Sequence, residues 1–500
     1  MAGEVRYIST RGGKSVSCFE AVVSGIADDG GLYVPDAFPQ LPPLEDLAGL
    51  DYRGLALTVM GSFLPDYGTD DMKQCVEAAY DEKFDHPKIA PLFKKDSFFF
   101  LELFHGPTLA FKDMALSVLP HLLKKASQAL GNEKKIVILT ATSGDTGKAA
   151  LEGFADVEGT EIIVFYPKNG VSRIQERQMV TQEGENTHVV GIEGNFDDAQ
   201  KGVKAIFADQ GLKSALYDDG YVFSSANSIN IGRLIPQVVY YVYSYLQLLK
   251  NKEVNAGQNI NFCVPTGNFG NILSAYYAKK IGLPVGRLIC ASNINNVLYD
   301  FFETGVYDRN RELYATSSPS MDILVSSNLE RLLYDISGQD PDIVKNLQEG
   351  LNSTGKFKIG TDMMGRLEDF YGSYATEEDT ARAIGDAFKK MGYLIDTHTG
   401  VGFDVYRKYI EETGDRAKSV VVSTASPFKF PDAVIEAIGG DSQAGDQMDL
   451  LHRLSEISGN PVPLRIENLS RLAVRHNTVC RTGDMKNQVT EILKPGGARR

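Results

Sequence analysis

The stretch INFCVPTGNFGN, residues 260–271, decides the class of fold. Its first half is a mainly apolar run, which is typical of a strand buried on both faces. Gly267 and Gly270 allow the chain to turn after this run, and residues 272–278 then favour a helix. A turn between a strand and the start of a helix can bind an anion, because free N–H groups and the helix dipole face it.

This turn does not identify one ligand. It lacks the Lys-Ser/Thr ending of a P-loop and the G-x-G-x-x-G spacing of a dinucleotide site, which disfavours nucleoside triphosphates and NAD. A glycine turn with a purely structural role stays open at this point.

Strand-like and helix-like segments alternate on both sides of the turn. Apolar β-branched runs predict strands, and helical patterns between them predict parallel sheets covered by helices. The sequence therefore predicts an α/β fold with two parallel-sheet domains around a shared cleft. The predicted strands are residues 136–141, 161–166, 188–192, 221–224, 260–264, 288–292 and 420–424.

The same pattern predicts how the chain is divided. Prolines at residues 35–43 prevent regular elements there and indicate a separate N-terminal unit. The long insertion has no role that the sequence reveals. The predicted division is an N-terminal domain of residues 1–95, a small α/β domain of residues 136–249, and a large cofactor-binding domain of residues 96–135 and 250–500 with an insertion near residues 298–397.

Composition excludes several classes of protein. With a formal net charge of −14 and a pI near 5.1, the chain lacks the broad positive surface that a nucleic-acid-binding protein needs. The chain has no signal-peptide core and no run of about 18 apolar residues, so we expect no membrane segment and a cytoplasmic location. Five cysteines without C-x-x-C spacing and scattered histidines predict neither a disulfide framework nor a metal site.

A second informative stretch is ELFHGPTLAFKD, residues 102–113. Its lysine, Lys112, follows apolar and turn residues. Loss of solvation lowers the pKa of a lysine and makes the neutral amine available for imine formation. The alternative is a solvated surface lysine. For His105, a structural role in the turn is favoured over proton transfer.

A third stretch, TATSGDTGK at residues 140–148, places hydroxyl and N–H groups between a predicted strand and a predicted helix. These groups suit a carboxylate ligand, because hydrogen bonds and the helix dipole both favour an anion there. Simple capping of the helix by Ser143 or Asp145 is the alternative.

Together these stretches resemble the threonine synthases, which belong to the tryptophan-synthase-like, fold-type II group of pyridoxal-phosphate enzymes. The resemblance extends from Tyr7 to Asp432. The segments that carry it are residues 7–12, 29–35, 105–113, 142–147, 167–179, 225–230, 267–271, 396–402 and 423–432.

The resemblance implies a site for pyridoxal 5'-phosphate within a fold like that of the tryptophan synthase β-subunit. It implies that Lys112 is the catalytic residue, which holds the cofactor through a Schiff base, and that Thr424 meets the pyridine nitrogen. The loop that the resemblance assigns to the cofactor phosphate consists of Gly267, Asn268, Phe269, Gly270 and Asn271.

The resemblance also implies which residues bind the substrate. Arg233 suits a phosphate because its guanidinium can form two parallel hydrogen bonds. The alternative is a cap at the end of a strand, with Arg233 on a solvated helix face. Two positions depart from the family, Asp145 where relatives carry asparagine and Ser426 where many carry histidine. The implied residues are Ser143, Asp145 and Thr146 on the substrate side of the cofactor, and Ser225, Asn227, Ser228 and Arg233 at the substrate phosphate.

The implied reaction converts a small molecule, O-phospho-L-homoserine, and water to L-threonine and phosphate. One alternative is a threonine-synthase-like phospho-lyase that releases phosphate, 2-oxobutyrate and ammonia. A second alternative is a catalytically silent α/β binding protein that keeps the phosphate site, and the presence of Lys112 disfavours it. The sequence leaves the choice between monomer and homodimer open.

Overall fold

The computed structural model describes residues 5–142, 144–443 and 447–494. In the N-terminal segment two short strands pair antiparallel, and the helices pack against helices that come later in the chain. The elements of this segment are β1 (Tyr7–Ser9), α1 (Cys18–Ser24), β2 (Tyr33–Pro35), α2 (Leu44–Leu47), α3 (Tyr52–Phe63) and α4 (Gly68–Ala79).

The next part of the chain contains the smaller sheet, in which β5, β6, β7 and β8 run parallel. Its elements are β3 (Leu92–Lys95), β4 (Phe98–Glu102), α5 (Asp113–Leu116), α6 (Leu119–Ala129), β5 (Lys135–Ala141), α7 (Asp145–Phe154), β6 (Thr160–Pro167), α8 (Arg173–Val180), β7 (Thr187–Glu193), α9 (Phe196–Ala208), α10 (Gln210–Asp218), β8 (Tyr221–Ser224) and α11 (Ile231–Lys250).

The remaining part of the chain supplies most of the larger sheet and the C-terminal helices. Its elements are β9 (Ile260–Pro265), α12 (Gly270–Lys280), β10 (Val285–Ser292), α13 (Val297–Thr304), β11 (Val306–Asp308), α14 (Leu329–Ile336), α15 (Pro341–Thr354), β12 (Lys356–Lys358), α16 (Thr361–Gly365), β13 (Phe370–Tyr374), α17 (Glu377–Met391), α18 (Thr397–Thr413), β14 (Ser419–Ser423), α19 (Pro431–Ala437), α20 (Gln447–Ser458), α21 (Leu464–Glu467), β15 (Val479–Arg481) and α22 (Met485–Leu493).

The larger sheet has the strand order β13-β10-β9-β14-β4-β3 within the described residues, and only its β3–β4 pair is antiparallel. At its centre Val421 lies opposite Cys263 on one side and Phe100 on the other, and all three are buried. Because β9, β14 and β4 are parallel, the loops that follow them leave the same edge of the sheet. The predicted α/β fold with two parallel sheets and an N-terminal domain is confirmed.

Two strands belong to a different sheet from the one that the predicted domain division implies. The strand β3 lies inside the predicted N-terminal domain, yet it pairs with β4 of the larger sheet. The strand β15 lies inside the predicted large domain, yet it pairs with β7 of the smaller sheet. The reason is burial: Cys480, Met485 and Val489 pack into the apolar core on that sheet.

The segment after Lys112 forms two helices. The helix α5 ends at Leu116, and α6 begins at Leu119 with Pro120 in its first turn. Proline has no N–H to continue a preceding helix but fits the first turn of a new one. Thr376 and Asp379 form a capping box at the start of α17.

Two expectations from composition can be compared with the structure. No helix within residues 5–142, 144–443 and 447–494 is long and apolar enough to cross a membrane. The five cysteines are all buried free thiols.

The close packing of α7 against α5 gives a test of the fold. A methyl group on Gly153 would lie 2.1 Å from the carbonyl oxygen of Leu116, whereas one on Gly61 in α3 would meet nothing within 4 Å. We expect Gly153→Ala to lower the free energy of unfolding by about 1 to 3 kcal/mol because of overpacking. We expect Gly61→Ala to raise it by about 0.5 to 1 kcal/mol through helix propensity. Denaturant unfolding measures both, and changes of the same sign would contradict this close packing of α7.

Candidate active site

Lys112 lies at the end of the loop between β4 and α5, directly before the first turn of that helix. The loop is fixed to the segment after β14 by backbone hydrogen bonds: Phe111 N–H donates to the Thr424 carbonyl at 2.8 Å, and Ser426 N–H donates to the Leu109 carbonyl at 3.1 Å. The neighbouring strands β4 and β14 therefore bring Lys112 and Thr424 to the same edge of the sheet.

The side chain of Lys112 is only 11% exposed, and its amine has polar neighbours. Its Nζ donates to Ser320 Oγ at 3.1 Å and lies 3.5 Å from Asp145 Oδ2. Burial lowers the pKa of Lys112, and the charges of Lys429 and Arg233 act in the same direction, although Asp145 opposes them. The predicted loss of solvation is present, and the alternative of a solvated surface lysine does not hold.

Asp145, the first residue of α7, lies between two lysines. Its Oδ1 is 2.7 Å from Lys429 Nζ and accepts a hydrogen bond from Gln175 Nε2 at 3.0 Å. Burial alone would raise the pKa of this carboxyl, but Lys429 and Lys112 outweigh it and hold the pKa well below its usual range. The carboxylate is thus ionised inside the protein.

The alternative of simple helix capping at this position does not hold for Asp145. The cap position of α7 is Gly144, whose φ of 136° is in a region that favours glycine, and it makes no side-chain capping bond. Thr146 follows in the first turn and is half-buried. The predicted substrate residue Ser143 lies outside the described residues.

The predicted phosphate loop connects β9 to α12. Gly267 is half-buried and Asn268 is exposed, so the turn itself is accessible. Phe269 has a left-handed φ of 64°, and its side chain packs into the core beside Phe302. Its part in the loop is therefore the backbone turn, after which Gly270 begins α12.

Asn271 lies one residue into α12. Its Oδ1 accepts hydrogen bonds from the hydroxyl groups of Tyr240 and Tyr241. Its Nδ2 is buried and has no hydrogen-bond partner among the described residues. A buried donor of this kind costs free energy unless a ligand accepts from it.

Arg233 is buried in the first turn of α11, which contradicts the alternative of a solvated guanidinium. Its Nη1 donates to the Ala226 carbonyl at 2.9 Å, inside the turn that carries Ser225, Asn227 and Ser228. Its Nε is buried without a partner in the described part of the chain. Burial lowers the pKa of Arg233 to about 10, so the group stays charged at neutral pH.

The predicted insertion joins the phosphate loop to the Ser225–Ser228 turn. Asn328 Nδ2 donates to the carbonyl of Asn268 at 3.1 Å and to that of Ser228 at 3.2 Å. Ser326 Oγ donates to the Gly267 carbonyl at 2.7 Å. The insertion thus contributes directly to the site.

Three residues of this site were not predicted from the sequence. Ser320 and Asn328 lie in the insertion, where no periodic pattern identifies them. Lys429 has a weak signal, since it is the single charge in the apolar run PFKFP at residues 427–431. Ser426 is the position where many relatives carry histidine. Its hydroxyl accepts a hydrogen bond from Phe428 N–H at 3.3 Å, which fixes the turn before Lys429.

His105, on the loop before Lys112, lies between two carboxylates. Its Nδ1 is 2.7 Å from Asp85 Oδ1, and its Nε2 is 2.8 Å from Glu102 Oε2. Burial would lower the pKa of this imidazole, but the hydrogen bonds to Asp85 and Glu102 raise it to about 9. The geometry supports the predicted structural role, because both ring nitrogens are used to hold the loop.

Comparison with known proteins gives the class that this fold and site define. The family model described as pyridoxal-phosphate dependent enzyme matches residues 84–425. Models of the threonine synthase N terminus and C-terminal region match residues 6–80 and 399–476. The chain belongs to the threonine synthase family.

Individual relatives agree with this family. Threonine synthase from Pseudomonas aeruginosa is 41% identical over 447 residues, which are 88% of this chain and 92% of that protein. Threonine synthase-like 1 from Homo sapiens is 40% identical over 84% of this chain, which spans only 58% of that longer protein. The crystal structure of threonine synthase from Brucella melitensis with bound pyridoxal phosphate has a TM-score of 0.87 and 36% identity, and the match covers 98% of this chain and 100% of that one.

The residues present fit pyridoxal 5'-phosphate, the cofactor of this family. A largely shielded amine of lowered pKa suits an imine, and the accessible turn at the start of α12 suits a phosphate. The unpartnered Nδ2 of Asn271 adds a donor close to that turn. The predicted family, fold and cofactor are confirmed.

The His105 contacts predict how stability depends on pH. The pKa of His105 rises from 6.5 to about 9 on folding, so the protonated ring stabilises the fold fully below pH 6.5. That contribution is lost as pH rises through about 9, and we expect it to be about 3 kcal/mol. Unfolding of wild type and His105→Gln at pH 6 and about pH 9.5 measures the difference. If the free energy of unfolding depends on pH equally in both proteins, the raised pKa of His105 is contradicted.

Proposed function

We propose that the protein is a carbon–oxygen lyase that converts O-phospho-L-homoserine and water to L-threonine and phosphate. The observation that carries the proposal is the amine of Lys112, which is largely shielded from water, is bonded to Ser320 beside the phosphate-type loop, and lies within reach of the charge of the buried Arg233. The family supports it, because relatives that cover nearly the whole chain are threonine synthases.

In this proposal the cofactor is held by three parts of the chain. Lys112 Nζ is the point of covalent attachment, and the loop from Gly267 to Asn271 binds the cofactor phosphate with its backbone N–H groups. The hydroxyl of Thr424 would meet the pyridine nitrogen. Support comes from the backbone bond between Phe111 and Thr424, which brings this residue next to the lysine.

Pyridoxal phosphate, when bound, acts as an electron sink for negative charge at the substrate carbon that carries the amino group. Lys112 Nζ, once free, removes the proton from that carbon and returns protons further along the substrate chain. Ser320 Oγ accepts a hydrogen bond from this nitrogen and orients it. Asp145 and Thr146 line the substrate side.

In this proposal the substrate phosphate is bound by the turn of Ser225, Asn227 and Ser228, to which Arg233 is hydrogen-bonded. The unpartnered Nε of Arg233 supports this, because a buried charged donor needs an acceptor. A guanidinium also binds phosphate with two parallel hydrogen bonds. An acidic chain thereby attracts an anionic substrate through a local site.

Two further assignments are proposed with this function. We place the protein in the cytoplasm, supported by its five free, buried thiols. We also propose the division into an N-terminal, a small and a large domain, with β3 assigned to the large domain and the segment from β15 onward to the small one.

The central test replaces Lys112 by alanine. We expect the purified wild-type protein to show the visible absorption band of the lysine-bound cofactor, and Lys112→Ala to lose both the band and the formation of threonine. The control is Lys148→Ala, which removes another buried lysine that is paired with Glu152 and should keep the band. Wild type should release phosphate and threonine in equal amounts.

Two outcomes would change the assignment. Phosphate release with 2-oxobutyrate and ammonia in place of threonine would support the phospho-lyase alternative. A protein that shows no band after addition of the cofactor would contradict both enzymatic hypotheses and support a silent binding protein.

A second test concerns the substrate phosphate. We expect Arg233→Met to raise KM for O-phospho-L-homoserine by roughly 10-fold to 100-fold, because a charge-assisted bond is lost. The absorption band of the cofactor should remain. Arg366→Met is the control, since it removes an exposed guanidinium that also donates to a backbone carbonyl. An unchanged KM in Arg233→Met would remove Arg233 from the phosphate site.

A further inference from the structure

One buried carboxylate lies between a buried lysine and a largely buried one. Oδ2 of Asp145 is 3.5 Å from Lys112 Nζ, and Oδ1 of the same group is 2.7 Å from Lys429 Nζ. Lys429 is almost completely buried and also donates to the Thr108 carbonyl at 2.9 Å. Lys429 is therefore the closer cation to the carboxylate.

A carboxylate beside a single lysine holds that lysine protonated, because the ion pair stabilises the ammonium form. A lysine that attacks a carbonyl or removes a proton must instead lose its own proton. With Asp145 as its only charged neighbour, Lys112 would be poorly suited to either task. The second lysine changes the balance, since it supplies the positive charge that Asp145 requires.

We propose that Lys429 is a positioning residue, which neutralises Asp145 and so leaves the amine of Lys112 free to lose its proton. This inference rests on the proposed role of Lys112 as the cofactor lysine. It gives a role to Asp145, the position where relatives carry asparagine. It also explains why a lysine is buried in the apolar turn after β14.

The other charged groups nearby agree with this assignment. Arg233 on α11 adds a second positive charge near Lys112 and opposes its protonation. Asp113 on α5 is near Lys429, but its carboxylate accepts hydrogen bonds from Thr108 N–H and Thr108 Oγ1. Burial raises the pKa of Asp113 to about 6. Asp145 is therefore the ion-pair partner of Lys429.

The test measures the reactivity of Lys112 in the full chain freed of cofactor. Competitive acetylation with acetic anhydride over a series of pH values, read by peptide mass spectrometry, gives the pH midpoint of Lys112. We expect Lys429→Met to raise this midpoint by about 1 to 3 pH units, because Asp145 then pairs with Lys112. Lys429→Arg should leave it near the wild-type value.

A second variant separates charge balance from a structural effect. Asparagine at position 145 needs no counter-charge, so Asp145→Asn in the Lys429→Met background should return the midpoint towards wild type. Loss of packing or of the bond to Thr108 would not be repaired by that change. The control Lys408→Met removes a lysine paired with Asp404 on α18 and should not move the midpoint.

An unchanged midpoint in Lys429→Met, or no return in the double variant, would overturn the inference. If Lys429→Met does not fold, the single variant Asp145→Asn provides the test. The midpoint of Lys112 should fall in this variant, because Lys429 then repels Lys112 without a carboxylate between them. An unchanged midpoint would contradict the proposal.

The proposed function can fail separately. Borohydride reduction of the holoenzyme with peptide mapping identifies the cofactor lysine, and a label on another lysine would refute the role of Lys112 without changing the acetylation result.

Discussion

For the proposed function the amine of Lys112 must be shielded from water and still be able to lose its proton, and much of the site follows from this constraint. Burial favours the neutral amine, but a buried site contains polar groups that need partners of their own. The structure meets both demands with Asp145, whose two oxygens face different lysines. Ser320 accepts a hydrogen bond from the amine, and the backbone after β14 fixes the loop that carries Lys112.

Parallel pairing explains how distant parts of the sequence reach this point. The strands β4, β9 and β14 are adjacent and parallel, so Lys112, the glycine loop and Thr424 follow strands that end at one edge. The smaller sheet contributes in the same manner, since Asp145 follows β5 and the Arg233 turn follows its neighbour β8. Each group comes from a loop, but each loop starts from a fixed strand.

The parts of the fold and of the site that could be predicted are those whose sequence signal lies in consecutive residues. The strands β5 to β10 were predicted to within a few residues because their apolar runs are continuous, and the turn at Gly267 because strand, glycines and helix are consecutive. The burial of Arg233 could not be read from the sequence, since an arginine on a helix is normally solvated. Lys429 was missed because its partner, Asp145, is far away in the chain and only the fold brings them together.

The insertion shows the same limit, because its contacts to the site are with residues far away in the chain. Arg331 Nε donates to the Tyr33 carbonyl of the N-terminal segment at 2.9 Å, and its guanidinium also contacts Asn328 Oδ1. Asn328 in turn donates to Asn268 and Ser228, on the two predicted phosphate sites. A residue that is bonded to both sites fixes the distance between them. The proposed reaction requires a fixed distance, because one phosphate is on the cofactor and the other is on the substrate. The separation is therefore set by an insertion and an N-terminal segment that carry neither phosphate loop.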